Sequence, residues 1–205
     1  MLLSTNIALS WVAISASSAF YTFIWLAPAV FTSVSRVLCG SSRSPVRTMA
    51  LGAHALKVAQ GGLIAAQLFK ALPGSGSAAS PAAQLVAALR SGEPRALALL
   101  AACAALLAFG QTLNARVYYL LGEGGVYYGN LLEPHAKRPW VTEWPYSSRW
   151  LRHPQYLGSS LSALACAGAG LMHPAVAACW IANYAYLALL ESDLLFARAE
   201  KRGKA

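Results

Sequence analysis

The chain has 205 residues, of which 57% are hydrophobic and only 11% are charged, and its mean hydropathy is +0.48. A soluble domain carries about 25% charged residues, so composition makes this a membrane protein with no room for a separate soluble catalytic domain. The formal net charge of +9 is scattered in loops between apolar segments, which speaks for orientation and lipid head-group contact and against nucleic acid.

Met1 to Val34 carries no charged side chain, so a first membrane segment is predicted over Ile7–Thr32, with Pro28 placed to kink or break it. The N-terminus lacks the basic region of a cleaved signal peptide, so this stretch is expected to be retained. A second segment runs from about Thr48 to Leu72 and is weakened by Lys57 and Lys70. The stretch beginning PGSGSAASPAAQ reads as a Gly/Ser/Ala/Pro linker, with Arg90, Glu93 and Arg95 near its end. A third segment, Ala96–Leu121, has Arg116 about one turn from its end. Two shorter runs, Tyr156–Leu171 and Ala175–Leu190, are separated by Met172-His173-Pro174. At about 1.5 Å per residue each is barely long enough for the roughly 30 Å hydrocarbon core. They form a tight hairpin whose second arm Pro174 opens. The expected fold is an all-α integral membrane protein of about five membrane helices, the last two a tight hairpin.

The basic residues set an orientation. Arg36, Arg43 and Arg47 fill the first loop, Lys137, Arg138, Arg149 and Arg152 the third, and Arg198, Lys201, Arg202 and Lys204 the tail. Five crossings put these on one side, the cytosolic one, and the low-charge linker and N-terminus on the other. Cys39, Cys103, Cys166 and Cys179 show no CxxC spacing and at least three lie in apolar segments, so neither a disulfide framework nor a metal site is expected.

Three stretches on that cytosolic side depart from plain membrane sequence. In NARVYYLLGEGGVYYGNLLEP, Arg116, Tyr119 and Glu123 are spaced to share one helix face. Gly122, Gly124, Gly125 and Gly129 allow close backbone approach or positive φ, although membrane helices also use glycine for packing. In RHPQYLG, Pro154 keeps His153 out of helical geometry and opens a helix whose first-turn N–H groups suit a bound carboxylate. In ALLESDLLFARAEKR, Glu191 ends the hairpin's second arm, where a carboxylate opposes the helix dipole and wants a cation nearby.

Together these stretches resemble the phospholipid N-methyltransferases, within the wider group of membrane methyltransferases that includes isoprenylcysteine carboxyl methyltransferase. The likeness is closest to the plant-type branch, the phosphatidyl-N-methylethanolamine N-methyltransferases. It rests on AFGQTLNARVYYLLGEGGVYYG, PWVTEWPYSSRWLRHPQYLGSSLSALAC and LES, and covers about Leu97 to Arg198. The resemblance implies S-adenosylmethionine as methyl donor, held without a Rossmann domain between the ends of membrane helices, and no metal. It divides the chain into membrane helices and linker (1–95), a donor-binding catalytic core (96–198) and a basic tail (199–205). Its small-x-Gly donor element falls on Ala108, Phe109 and Gly110, with Ala108 where vertebrate relatives resemble glycine. Its acid element falls on Glu191 and Ser192, a pair that marks the plant-type branch. The His-Pro-x-Tyr element puts His153, Pro154 and Tyr156 in the donor pocket, and asparagine in place of the histidine in vertebrate enzymes argues against an indispensable base.

The candidate site follows from these matches and from the chemistry of the side chains. Glu191, Glu123 and His153 are candidates for catalysis, Glu191 for holding the donor and the other two for proton transfer. Gly122 and Gly125 join the donor-binding set. Arg116, Arg149 and Arg152 offer guanidinium forks to a lipid phosphate or the donor carboxylate, Tyr119 joins them as a substrate-binding candidate, and the tyrosines near Gly125 offer faces to a methylated ammonium. The implied setting is the endoplasmic reticulum membrane, multi-pass, with the active face and C-terminus cytosolic, and the implied partners are a phospholipid substrate and the bilayer. An isoprenylcysteine carboxylate is the alternative substrate, since RHPQYLG fits that family too. From another class, a non-catalytic membrane scaffold would leave unexplained why charges gather at the ends of the third to fifth helices.

Overall fold

Proline decides where most of the helices begin. In the computed structural model, which describes residues 2–40, 42–71, 81–135, 141–148 and 151–202, six of eight helices start on one. The elements are α1 (Leu2–Leu26), α2 (Pro28–Cys39), α3 (Pro45–Ala71), α4 (Pro81–Arg90), α5 (Pro94–Val126), α6 (Gly129–Leu132), α7 (Pro154–Gly168) and α8 (Pro174–Arg202). Proline has no N–H to lose at the first helical position and its fixed φ suits the turn. Among the described residues there is no strand. The protein is an all-α membrane protein.

The segment expected over Ile7–Thr32 is two helices. Ala27, at φ −129° and ψ 56°, breaks it ahead of Pro28, because the residue before proline is pushed out of the helical region. The stretch read as a linker contains α4, where Ala, Gln and Leu behind Pro81 are good helix formers. Helix α8 does not end at Glu191. Ser192–Arg202 contains no glycine or proline, so the helix continues eleven residues further. Glu191 is therefore inside a helix, not at its C-terminus, and the dipole argument for a nearby cation falls away.

Among the described residues three helical spans are long and apolar enough to cross a membrane: Thr5–Leu26, Pro94–Leu132 and Pro174–Ser192. Helix α3 has 27 residues, a rise of about 40 Å, but carries Arg47, Lys57 and Lys70. Helix α7 has 15 residues, a rise of about 22 Å. Val12, Leu26, Leu97, Leu164 and Leu189 point outward, as lipid-facing side chains do.

The hairpin closes as expected. Gly170 has φ 69°, its N–H bonds to Ala167 O, and Leu171 N–H bonds to Cys166 O, the double bond of a Schellman cap. His173 then caps α8, its Nδ1 accepting from Ala175 N–H at 3.2 Å. Helix α7 packs most extensively on α5 and also against α8, and α1 packs on both α8 and α3. The α5–α7 crossing is close because two glycines face each other. A Cβ on Gly110 would lie 2.5 Å from Gly158 O, and one on Gly158 would lie 2.5 Å from Gly110 O. Small residues let membrane helices approach in this way.

Two apolar clusters mark opposite ends of the bundle. One holds Ile24, Met49, Ala53, Tyr127 and Leu132. The other holds Ile14, Met172 and Val176, with Ile7 and Ile64 against it. The first gathers the end of α1, the start of α3 and the end of α5. The polar centre is built at that end.

Candidate active site

Glu191 is the centre of the arrangement. It is 8% exposed, one of few buried polar side chains among the described residues. A buried carboxylate needs hydrogen-bond partners, and three side chains supply them. The Tyr128 hydroxyl, at the start of α6, donates to Oε1 at 2.5 Å. The Tyr156 hydroxyl, in the first turn of α7, donates to the same oxygen. His153, which precedes α7, places Nδ1 3.5 Å from Oε2. Its other ring nitrogen, Nε2, lies 2.9 Å from Ser192 Oγ. With Ser192 donating to Nε2 and Nδ1–H turned to the carboxylate, both nitrogens of a neutral imidazole are satisfied.

Local backbone explains how each group arrives. His153 is held at φ −125°, ψ 68° by the proline after it. Its ring stacks on Tyr156, with centroids 5.5 Å apart and planes 4° from parallel. Gly122, at φ 60° and ψ −175°, breaks the α5 helix. Tyr128 follows in the left-handed region at φ 53°, a conformation rare for a bulky side chain. This turn carries its hydroxyl across to Glu191. Tyr21 and Trp25 of α1 pack edge-on against Tyr128 at 5.9 and 5.1 Å, and Tyr184 of α8 leans on Tyr156 at 5.3 Å. Tyr146, in the loop before α7, has its phenol pushed up to about 12 by burial and then by the Glu191 charge.

Beside this centre a cleft of about 590 Å³, counting its open mouth, runs between the helices. One face of each helix lines it: Ile14, Ser17, Ser18 and Tyr21 of α1, Ala53, Lys57 and Gln60 of α3, and Trp180, Asn183, Tyr184 and Leu187 of α8. These are the spacings of a single helical face. Tyr156 lines it too, so the phenol bound to Glu191 is part of its wall.

Of the residues singled out from sequence, the structure brings His153, Tyr156, Glu191 and Ser192 into one group. The others lie apart from it. Arg116 pairs with Glu143 at 2.6 Å and sits 5.2 Å over the Tyr119 ring, tying α5 to the 141–148 loop. The break at Gly122 removes Glu123 from the helix face it was expected to share with Arg116 and Tyr119, and Glu123 is exposed. Gly125 sits against Leu121. Gly110 is buried in the α5–α7 crossing, while Ala108 and Phe109 are exposed. Arg152 is exposed, and Arg149 lies outside the described residues. Sequence reasoning missed Tyr21, Trp25, Tyr184, Gln60 and the cleft role of Lys57. Lys57 and Gln60 did carry a signal, as polar side chains within a membrane segment.

A bundle of apolar helices enclosing a polar centre at one end defines a multi-pass membrane protein with an internal site. Comparison with known proteins places it more closely. A family model described as phospholipid methyltransferase matches residues 98–195. The phosphatidyl-N-methylethanolamine N-methyltransferase of Arabidopsis thaliana is 37% identical over 147 residues, 72% of this chain and 70% of its own. No solved structure matches. The chain belongs to the phospholipid methyltransferase family and is a methyltransferase.

Proposed function

We propose that the chain methylates phosphatidyl-N-methylethanolamine and phosphatidyl-N,N-dimethylethanolamine to phosphatidylcholine, with S-adenosylmethionine as donor, at the cytosolic face of the endoplasmic reticulum membrane. The observation that carries this reading is the buried Glu191 carboxylate, held by two phenols and His153 beside a cleft between membrane helices. The residues fit a cationic donor with an aromatic end. A carboxylate and tyrosine faces favour positive charge, and the cleft-lining Trp180 has a buried indole N–H with no hydrogen-bond partner among the described residues.

S-adenosylmethionine, when bound, supplies an electrophilic methyl group on a sulfonium. Glu191, His153, Tyr156 and Ser192 would hold its polar part, and Gly110 keeps the α5–α7 wall close against Gly158. Tyr21, Trp25, Tyr128 and Tyr184 surround the carboxylate with rings and keep water from the reacting amine. The substrate ammonium must shed a proton before its lone pair can attack. Glu191 Oε2, the oxygen the phenols leave free, takes that proton beside His153. Transfer of that methyl to the amine would be an in-line displacement, so these residues would supply most of the rate by holding the two reactants in line. Arg116 and Arg152 meet the lipid surface with their guanidinium groups.

Lipid product analysis tests the reading. The protein in nanodiscs, given labelled donor, should convert the mono- and dimethyl lipids to phosphatidylcholine. Methylation of a farnesylcysteine analogue in their place would overturn it.

A further inference from the structure

Lys57 lies on the opposite wall of the cleft from Tyr156 and Tyr184, in a helix otherwise poor in charge over that stretch. A lysine in a membrane helix ordinarily extends along its stem to the head-group region. This one does not. Its ammonium donates to the Tyr118 hydroxyl at 3.0 Å and lies 5.6 and 5.9 Å over the rings of Tyr118 and Tyr127. Tyr118 and Tyr127 are joined by a hydroxyl–hydroxyl bond of 2.9 Å, so the phenols fix the ammonium in place. Among the described residues no carboxylate lies within ion-pairing distance of it. One turn away, Gln60 faces the same cleft, its amide bound to Ala13 O at 3.1 Å and to Ser17 Oγ. The cleft thus has a positive wall at Lys57, while its other wall leads through Tyr156 to the Glu191 carboxylate.

We propose that Lys57 is the anion-receiving residue of this cleft, binding an oxyanion carried by one of the two reactants. The lipid phosphate and the donor carboxylate share that chemistry. Both belong to molecules that also carry a cation, so a cleft with Lys57 on one wall and Glu191 behind the other sets the direction in which a zwitterion enters. An ammonium held by hydrogen bonds and facing a bound oxyanion contributes a charge-assisted contact. The inference rests on the phospholipid methylation reading and names the group that anchors one of its substrates.

Lys57→Met tests it in nanodiscs, since methionine keeps the stem and takes a charge out of a membrane helix. If the phosphate is the ligand, KM for the monomethyl lipid rises at least about tenfold while the affinity for S-adenosylhomocysteine is unchanged. If the carboxylate is the ligand, that affinity falls by a similar factor and the lipid KM changes little. Native values for both, in a folded variant, overturn the proposal. Should Lys57→Met fail to fold, Lys57→His gives the same decision. Either the lipid KM or the S-adenosylhomocysteine Kd then rises relative to the native protein as pH increases from about 5.5 to 8 and the imidazole loses its charge. Parallel pH profiles for both constants overturn it. A failure of the underlying reading looks different, because the native protein would then make no methylated phospholipid.

Discussion

Glu191 Oε1 receives two hydroxyls and Oε2 faces an imidazole, so the carboxylate's direction is fixed by three side chains from two parts of the chain. Tyr128→Phe or Tyr156→Phe should each lower kcat/KM by about tenfold, since each removes one hydrogen bond to a charged group. Steady-state kinetics checks this, and native kcat/KM in both would show that the phenols do not position the acid. Tyr146 allows a pH test. Its phenol is raised to about 12, above the ordinary value, so the fold favours the neutral form. Its contribution to stability is fully present below about pH 10 and is lost as pH rises through about 12. Difference titration of the native protein against Tyr146→Phe should show one phenol ionising near 12. A midpoint near 10 would contradict its burial beside Glu191. His153 and Glu191 are legible in the sequence from the proline after one and the apolar run before the other, whereas Tyr156 is legible only through the family's His-Pro-x-Tyr element. Tyr128 was legible only as one of several tyrosines. Its role depends on a positive φ that nothing in residue type announces.

The helices show where sequence reading succeeds and where it stops. Proline placed the starts of α7 and α8 correctly, because its missing N–H and fixed φ act locally. Glu191 looks like a boundary because it ends an apolar run, but the residues after it continue α8 to Arg202. Family likeness makes Gly110 a donor-binding position, and a facing glycine cannot be foreseen from its own neighbours. The structure packs Gly110 against Gly158. Gly110→Val and Gly158→Val should therefore destabilise the protein alike, by about 1–3 kcal/mol, with similar falls in thermal midpoint. If Gly110→Val also weakened S-adenosylhomocysteine binding far more than Gly158→Val at matched stability, Gly110 would have a donor-binding role beyond this packing.

The whole molecule works by alternation. The end of α1, the start of α3, the end of α5, the start of α7 and the Glu191 region of α8 meet at one end, as successive antiparallel passes require. Composition and charge pattern made that architecture legible, whereas the cleft between the passes depends on which helix faces pack together. The proposal that the site end faces the cytosol rests on the positive-inside pattern. In a background without native cysteines, Ser42→Cys should be labelled by an impermeant maleimide from the cytosolic side only, and Ser91→Cys from the lumenal side only. The reverse pattern would invert the orientation. The most direct test is turnover of Glu191→Gln on phosphatidyl-N-methylethanolamine in nanodiscs. If the carboxylate holds charge and takes the proton, kcat falls by at least about a hundredfold while the protein stays folded. Near-native turnover would show that methyl transfer takes place elsewhere.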